Sequence, residues 1–237
     1  MITLALDTAT DRCTVAASND GHIAERHMDG ARQHATSILG LVDAVLVEVG
    51  AAPSDITRVV LADGPGSFTG LRVAAAVAKA IAWRRSVDLL VAPSLLVRAA
   101  PHAPAGGGVV LALSDALRGE LYAGCWTITV EGITAHSGYP RAMRPAELAA
   151  FGAVQAVVGS VPPALLGEVE AVTRCSVSGA ALPDARTLIA LAALRGGTVA
   201  VADIDGWEPT YGRPAEAQAV WERRHGRPLP TPASLPH

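Results

Sequence analysis

The sequence contains little lysine, little cysteine and few aromatic residues. Lys79 is the only lysine in 237 residues, so the chain has no Gly-Lys-Ser/Thr phosphate loop. The three cysteines, Cys13, Cys125 and Cys175, lie far apart and form no CxxC pair, so neither a disulfide framework nor a structural zinc site is indicated. Because only four Trp, three Tyr and two Phe are present, we expect a core of Ala, Val and Leu.

Charge and hydropathy narrow the classes of protein further. Charged residues make up 17% of the chain and hydrophobic residues 50%, which excludes global disorder. A net charge of −3 argues against a protein that binds nucleic acid by itself through a broad basic face. Transient RNA contact as part of a larger assembly stays open. The chain has no basic leader and no apolar run of about 20 residues, so we expect a soluble cytoplasmic protein.

The first hundred residues alternate between strand and helix patterns, which predicts an α/β fold. Apolar residues spaced at i, i+3, i+4 and i+7 indicate a helix over 33–49, and a run of small apolar residues indicates a second helix over 71–85. A shorter helix is predicted over 94–100. The predicted strands are 2–6, 13–17, 22–27, 58–62 and 87–91.

A segment rich in proline and glycine, 101–108 (PHAPAGGG), predicts a domain boundary. Beyond it we expect strands at 109–113, 120–130 and 154–158, a short helix from Pro145, and helices at 187–195 and 214–224. The predicted units are an N-terminal subdomain over 1–100, a smaller α/β subdomain over 109–207, a helical segment over 208–225 and a disordered tail over 226–237.

A polar turn, Asp7-Thr8-Ala9-Thr10, follows the first predicted strand. An acid and hydroxyls at the end of a central strand are able to hold Mg²⁺ or a phosphate, and this makes Asp7, Thr8 and Thr10 candidate nucleotide-binding residues. The alternative is an ordinary Asp/Thr turn.

A glycine-rich loop, 64–70, lies between a predicted strand and a predicted helix, where backbone N–H groups can bind an anion or the loop can contact a partner. In the alternative interpretation the loop is structural. Ser67 or Thr69 would then cap the helix, and the glycines would permit close packing.

The usual catalytic signatures are missing. His34 has Ile38 at the i+4 position where a helical metal site needs a second ligand, and no nucleophile-elbow motif or catalytic cysteine is recognisable. The residues therefore predict no catalytic set and no metal site. Surplus apolar helix surface suggests a protein partner, although core burial accounts for most of it.

Several segments together carry a resemblance to a known family. They are the opening LALDTAT (4–10), the helix start Arg32-Gln33-His34, and the string GPGSFTGLR (64–72). Asp115-Ala116 with Glu120-Leu121-Tyr122, and PTYGR (209–213), add to them. Together they resemble the TsaB (YeaZ) family, well over about 1–125 and loosely beyond.

This resemblance implies an actin/Hsp70/sugar-kinase-like fold with two related α/β halves. It also implies a role in forming N6-threonylcarbamoyladenosine next to the anticodon of tRNAs that read codons starting with A. In that process the paralogue TsaD transfers the threonylcarbamoyl group and the ATPase TsaE joins the complex, whereas the TsaB-like chain is a non-catalytic subunit. TsaD-like proteins carry an HxxxH pair on the corresponding helix, and Ile38 replaces the second histidine here.

The resemblance further implies that the two long helices pack against the same pair in TsaD, or in a second copy of this chain when TsaD is absent. It also leads us to expect that no cofactor is required, that tRNA is reached only through the complex and that no membrane is involved, while weak ATP or ADP binding with Mg²⁺ stays open. The predicted interface residues are His34, Ile38, Leu41, Val42, Val45, Ser67, Phe68, Thr69, Arg72, Ala75 and Ala78.

One departure and two alternatives accompany this interpretation. Leu117 stands where the family hairpin usually has arginine, which weakens any role for that hairpin. The main alternative is an independent ATPase or phosphotransferase of the same fold, with Asp7 holding the metal and the glycine-rich loop the phosphate. A stand-alone metallopeptidase is disfavoured because the histidine pair is missing.

Overall fold

Two β-sheets with helices against their faces organise the computed structural model, which describes residues 1–30, 34–84, 87–179, 182–212 and 224–226. The helices are α1 His34–Glu48, α2 Phe68–Arg84, α3 Ser94–Ala99, α4 Pro163–Thr173 and α5 Ala185–Ala193. The strands are β1 Ile2–Asp7, β2 Arg12–Asn19, β3 His22–Asp29, β4 Ile56–Ala62, β5 Asp88–Ala92, β6 Gly108–Asp115, β7 Leu121–Ile128, β8 Ile133–Ala135, β9 Arg141–Met143, β10 Ala156–Ser160, β11 Val177–Ser178 and β12 Val199–Ala200.

The two sheets repeat one topology. The first runs β3-β2-β1-β4-β5 and the second β8-β7-β6-β10-β11, with β12 added at the edge of the first and β9 paired to β7 in the second. In each sheet an antiparallel meander is followed by two strands parallel to its first strand. A parallel neighbour needs a crossover, and helices such as α1 and α2 supply it. This repeated order confirms the predicted α/β fold of two related halves.

Alternation along the strands decides which helices cover each face of the first sheet. In β1, Leu4 and Leu6 join the core that α1 and α2 cover, whereas Ala5 joins the core that α3 and α5 cover. Side chains of a strand point alternately to opposite faces, so a sheet buried on both sides needs apolar residues at every position. All six residues of β1 are accordingly buried.

A shared apolar layer joins the two sheets. Leu95 and Leu96 of α3 and Leu188 of α5 pack in one cluster with Val60 of the first sheet and Val110 of the second. On the far side of the second sheet, α4 and a 3₁₀ helix over Pro145–Phe151 cover a third cluster. The layers therefore run helices, sheet, helices, sheet, helices, and the middle one belongs to both halves.

The predicted elements of the first hundred residues are confirmed, with small shifts at their ends. Helix α2 begins at Phe68 rather than 71, because the last residues of the glycine-rich loop already form its first turn. In the second half, α4 and the short strands β8, β9, β11 and β12 were not predicted. Most of the predicted helix over 214–224, and the predicted tail, lie outside the described residues.

The chain returns to the first sheet after it has built the second. Strand β12 pairs with β5, and the backbone N–H of Thr210 donates to the carbonyl of Asp63 at 2.8 Å. Segments within and after the predicted 109–207 unit thus complete the first sheet, and the domain limits themselves stay a prediction. No helix among the described residues is long and apolar enough to cross a membrane.

We expect Leu188→Ala to lower the free energy of unfolding by about 2–5 kcal/mol, because it opens a cavity in the shared middle layer. Leu188 is fully buried, whereas Val130 is 87% exposed on the second half. Val130→Ala should therefore change stability by less than about 0.5 kcal/mol. Urea denaturation measures both values, and equal effects would contradict the assigned layer.

Candidate functional site

The glycine-rich loop is pressed against the turn that follows β1. The hydroxyl of Thr8 donates to the carbonyl of Gly70 at 2.7 Å, and the N–H of Ser67 donates to the carbonyl of Ala9 at 2.8 Å. A Cβ added at Gly66 would lie 2.4 Å from the carbonyl oxygen of Ala9, and one at Gly70 would lie 2.0 Å from that of Thr8. The two backbones approach this closely only because glycine occupies both positions.

The structural interpretation of the loop is confirmed by how α2 begins. Ser67 Oγ accepts a hydrogen bond from the N–H of Gly70 at 3.2 Å, and the Ser67 carbonyl accepts from Leu71 N–H at 2.8 Å. Ser67 therefore caps α2, as one of the two predicted candidates. Thr69, the other candidate, is exposed in the first turn of the helix. Anion binding by this loop stays a prediction.

The polar side chains of the turn that holds the candidate phosphate-binding residues are hydrogen-bonded to the chain's own backbone. Asp7 Oδ1 accepts from Ala9 N–H at 2.8 Å, Thr10 Oγ1 accepts from Arg12 N–H at 3.2 Å, and the buried hydroxyl of Thr8 holds the loop. Burial lowers the pKa of the Arg98 guanidinium, and the negative charge of Asp7 counteracts this effect. These contacts give the turn a structural role, and phosphate binding there stays a prediction.

The described residues hold no cluster of three or more His, Cys, Asp and Glu side chains that could bind a metal ion. Burial raises the pKa of the Cys13 and Cys125 thiols to about 11. Both are therefore protonated at neutral pH, and neither is an activated nucleophile.

An aromatic stack fixes Arg72 beside the start of α2. Its guanidinium carbon lies 4.3 Å from the ring centre of Phe68 and 5.5 Å from that of Tyr211. Arg72 Nε donates to Tyr211 Oη at 3.1 Å, and that hydroxyl donates to Glu208 at 2.8 Å. Phe68 and Arg72 were predicted site residues, whereas Tyr211, 139 positions after Arg72, entered the prediction only through the PTYGR segment.

Several residues of the predicted interface are buried in this structure, and the interface itself stays a prediction. Ile38, Val42 and Val45 of α1, with Ala75 and Ala78 of α2, are buried in the core against the first sheet. Their apolar spacing marks the stripe that faces the chain's own strands, so these side chains are not available to a partner while the fold is intact. Leu41 is half-buried against the same core, and the side chain of His34 lies outside the described part.

The opposite side of the two helices is exposed and mostly apolar. Predicted residues Thr69 and Arg72 begin this side of α2. Because α1 and α2 contact each other on one face of the sheet, their outward sides form one surface. We call it the outer helical face, and it comprises Leu39, Gly40, Ala44 and Val47 of α1 with Thr69, Arg72, Ala76, Ala80 and Trp83 of α2.

A buried acid that sequence reasoning missed lies next to the glycine-rich loop. Asp63 is 4% exposed and accepts a hydrogen bond from Tyr139 Oη, which also lies 3.1 Å from the carbonyl oxygen of Gly64. Burial raises the pKa of Asp63 to about 8. Asp63 and Tyr139 are 76 positions apart, and no local pattern connects them.

We expect Gly70→Ala to lower the free energy of unfolding by about 1–3 kcal/mol, because the new methyl group forces the Thr8 carbonyl away. Gly167, within α4, has nothing within 4 Å of an added Cβ. Gly167→Ala should therefore raise stability by about 0.5–1 kcal/mol. Thermal and urea denaturation test the pair, and a neutral Gly70→Ala would contradict the close approach.

Asp63→Asn should change how stability depends on pH. Because folding raises the pKa of the Asp63 carboxyl, this group loses its proton near pH 4 in the unfolded chain but only at a pH of about 8 in the folded chain. Stability relative to Asp63→Asn therefore falls by up to about 1.4 kcal/mol per pH unit as pH rises between those values. Unfolding should be measured across this range. Asp88→Asn, which removes an exposed carboxylate from β5 but keeps Asp63, is the control and should follow the unmodified chain across this range.

Comparison with known proteins places this geometry in a family. A family model described as "TsaD: tRNA N6-adenosine threonylcarbamoyltransferase" matches residues 28–153. The tRNA threonylcarbamoyladenosine biosynthesis protein TsaB of Escherichia coli K12 is 35% identical over 120 residues, which cover 50% of this chain and 52% of the relative. The Bacillus subtilis 168 protein of the same name is 32% identical over 127 residues, or 53% and 55% of the two chains. The chain thus spans about half the length of the curated relatives it matches.

Solved structures match over more of the chain. A Pseudomonas aeruginosa protein described as similar to the peptidase YEAZ superposes with a TM-score of 0.74 at 26% identity, over 90% of this chain and 99% of that one. YeaZ from the same organism gives a TM-score of 0.68 at 25% identity, over 89% and 100%. The family model covers more than half of the chain, so the chain belongs to this TsaD-type family, and the relatives and solved structures that it matches are TsaB and YeaZ proteins.

Proposed function

We propose that this chain takes part in forming N6-threonylcarbamoyladenosine beside the anticodon of tRNAs that read codons starting with A. In this proposal it is the non-catalytic partner of a TsaD paralogue, which performs the transfer, and the ATPase TsaE joins the two. Family membership supports the process, since the curated relatives carry its name. The outer helical face is the observation that supports a partner role.

Large apolar side chains are exposed to solvent on this face, and a protein partner would bury them. Leu39 is 60% exposed, Val47 78% and Trp83 79%, all on two helices in contact with each other. Asp43 is also exposed on α1, between Leu39 and Val47. Scattered apolar residues are normal on a surface, but several large ones on one helix pair are typical of a protein interface.

Small residues lie between the large ones and suit helix-on-helix packing. Gly40 and Ala44 on α1, and Ala76 and Ala80 on α2, are exposed and follow helical spacing. Small side chains let a second pair of helices approach closely, as in a four-helix arrangement. Because a paralogue of the same fold would present an equivalent pair, TsaD is the cognate occupant. A second copy of this chain would use the face when TsaD is absent.

Charge supports an indirect route to tRNA. The chain carries a net charge of −3, and phosphate contacts need clustered Lys and Arg. The RNA-binding surface therefore belongs to the assembled complex in this proposal, with TsaD and its partners supplying most of the positive charge.

Val47→Glu should weaken binding to TsaD at least about tenfold, since leaving a carboxylate unpaired in an apolar interface costs more than about 1.4 kcal/mol. Val130→Glu is the matched control, because Val130 is similarly exposed but lies on the other half of the chain. Affinity for purified TsaD is measured by biolayer interferometry, and modified nucleoside in tRNA by mass spectrometry.

Full TsaD affinity in both Val47→Glu and Ala80→Glu would contradict this placement of the interface.

The alternative, that the chain is an enzyme by itself, is tested with the same purified proteins. If the isolated chain hydrolysed ATP with Mg²⁺ at an appreciable rate without TsaD, an independent ATPase would be favoured. Modification of tRNA only when TsaD is added would favour the partner role.

A further inference from the structure

A cavity of about 630 Å³ lies between the edge of the first sheet and the second half of the chain. Val91 of β5 and Leu96 of α3 form one side, Trp126 of β7 another, and Val201 and Trp207 from the returning segment close it. This volume is within the range of small-molecule sites in proteins. A molecule bound there would touch both halves of the fold.

The charges that line this cavity are of one sign. Among its described lining residues, Asp63 and Asp203 are the only ones with a carboxyl group, and none is Lys, Arg or His. Asp203 is exposed at the rim and accepts the N–H of Gly206 at 3.1 Å, whereas Asp63 is buried at the inner end. A phosphate or carboxylate would find no positive partner here, so the lining disfavours anions and favours a cation.

The walls suit an apolar body attached to that cation. Trp126 and Trp207 contribute two indole rings, and Val91, Leu96 and Val201 contribute aliphatic surface. Indole faces attract ammonium groups, and aliphatic walls bury hydrocarbon. The Tyr139 hydroxyl is bound to Asp63 Oδ1, and both residues line the cavity, so the carboxyl group that would pair with the ammonium lies in its wall.

We propose that this cavity is a binding site for a small organic amine, whose ammonium group pairs with Asp63 and whose alkyl or aryl body packs against Trp126 and Trp207. The site is separate from the outer helical face. It therefore does not depend on the function proposed above.

Proton release accompanies binding in this proposal. The amine pairs with the ionised carboxyl, but burial raises the pKa of Asp63 to about 8, so the carboxyl is mostly protonated at pH 7. Among the described residues that line the cavity, Tyr139 and Asp203 are the other titratable groups, and burial rather than a neighbouring charge raises the pKa of Asp63. An alkylammonium stays charged up to about pH 10, so affinity should rise with pH until Asp63 is ionised.

The test uses 2-phenylethylamine, with 2-phenylethanol as its uncharged analogue. Binding to the full chain is followed by tryptophan fluorescence and by calorimetry in buffers of different ionisation enthalpy. At about pH 8.5 the amine should bind at least about tenfold more tightly than the alcohol. At about pH 6.5 its affinity should be about 25-fold lower, because only a few per cent of Asp63 is ionised. Calorimetry should show close to one proton released for each amine bound at that pH.

Three variants make the result specific. Asp63→Asn should remove the preference for the amine, its pH dependence and the proton release, whereas Asp88→Asn should keep all three. Ala202→Trp places an indole at an exposed lining position and should block both probes without touching Asp63. The proposal is overturned if Asp63→Asn binds the amine as tightly as the unmodified chain, if amine and alcohol bind equally at about pH 8.5, or if neither binds at millimolar concentration.

Discussion

The contact between the glycine-rich loop and the turn after β1 determines where α2 lies. Backbone meets backbone there, through the Thr8 and Ala9 carbonyls on one side and the glycines at 66 and 70 on the other. Helix α2 begins inside this contact, so the contact fixes where its first turn lies relative to the first sheet. The orientation of the helix about its axis follows, and with it the division into an inner and an outer side.

That division explains why one helix pair can serve two purposes. The inner side packs against the strands of the first sheet, and the outer side presents small residues with a few large apolar ones at their edges. In an α-helix, residues three and four apart share a side, so a helix of four or five turns carries two apolar stripes without conflict. Stability and partner binding therefore depend on different residues of the same element, and substitutions on one side can leave the other intact.

Local patterns predicted most of the first half because each element there is long and strongly periodic. The same patterns failed for α4, where Pro162 and Pro163 look like a break although proline is favoured in the first turn of a helix. Strand β12 has only two residues, too few for a sequence pattern, and it is a strand because it pairs with the edge of β5. Apolar spacing located α1 and α2 but could not tell which stripe faces the core, since both stripes satisfy the helical period. The pairing of Asp63 with Tyr139, and of Arg72 with Tyr211, depends on tertiary placement, which no local window contains.

The late return of the chain to the first sheet has a consequence for synthesis on the ribosome. When residue 100 leaves the exit tunnel, β5 still lacks its neighbour β12, and Phe68 and Arg72 still lack Tyr211. The nascent first half therefore carries an unpaired strand edge and uncovered apolar surface until the segment that contains β12, about a hundred residues later in the chain, has been made. Chaperone demand should be concentrated in that interval, and a ribosome that stalls within it would leave a species prone to edge-to-edge association.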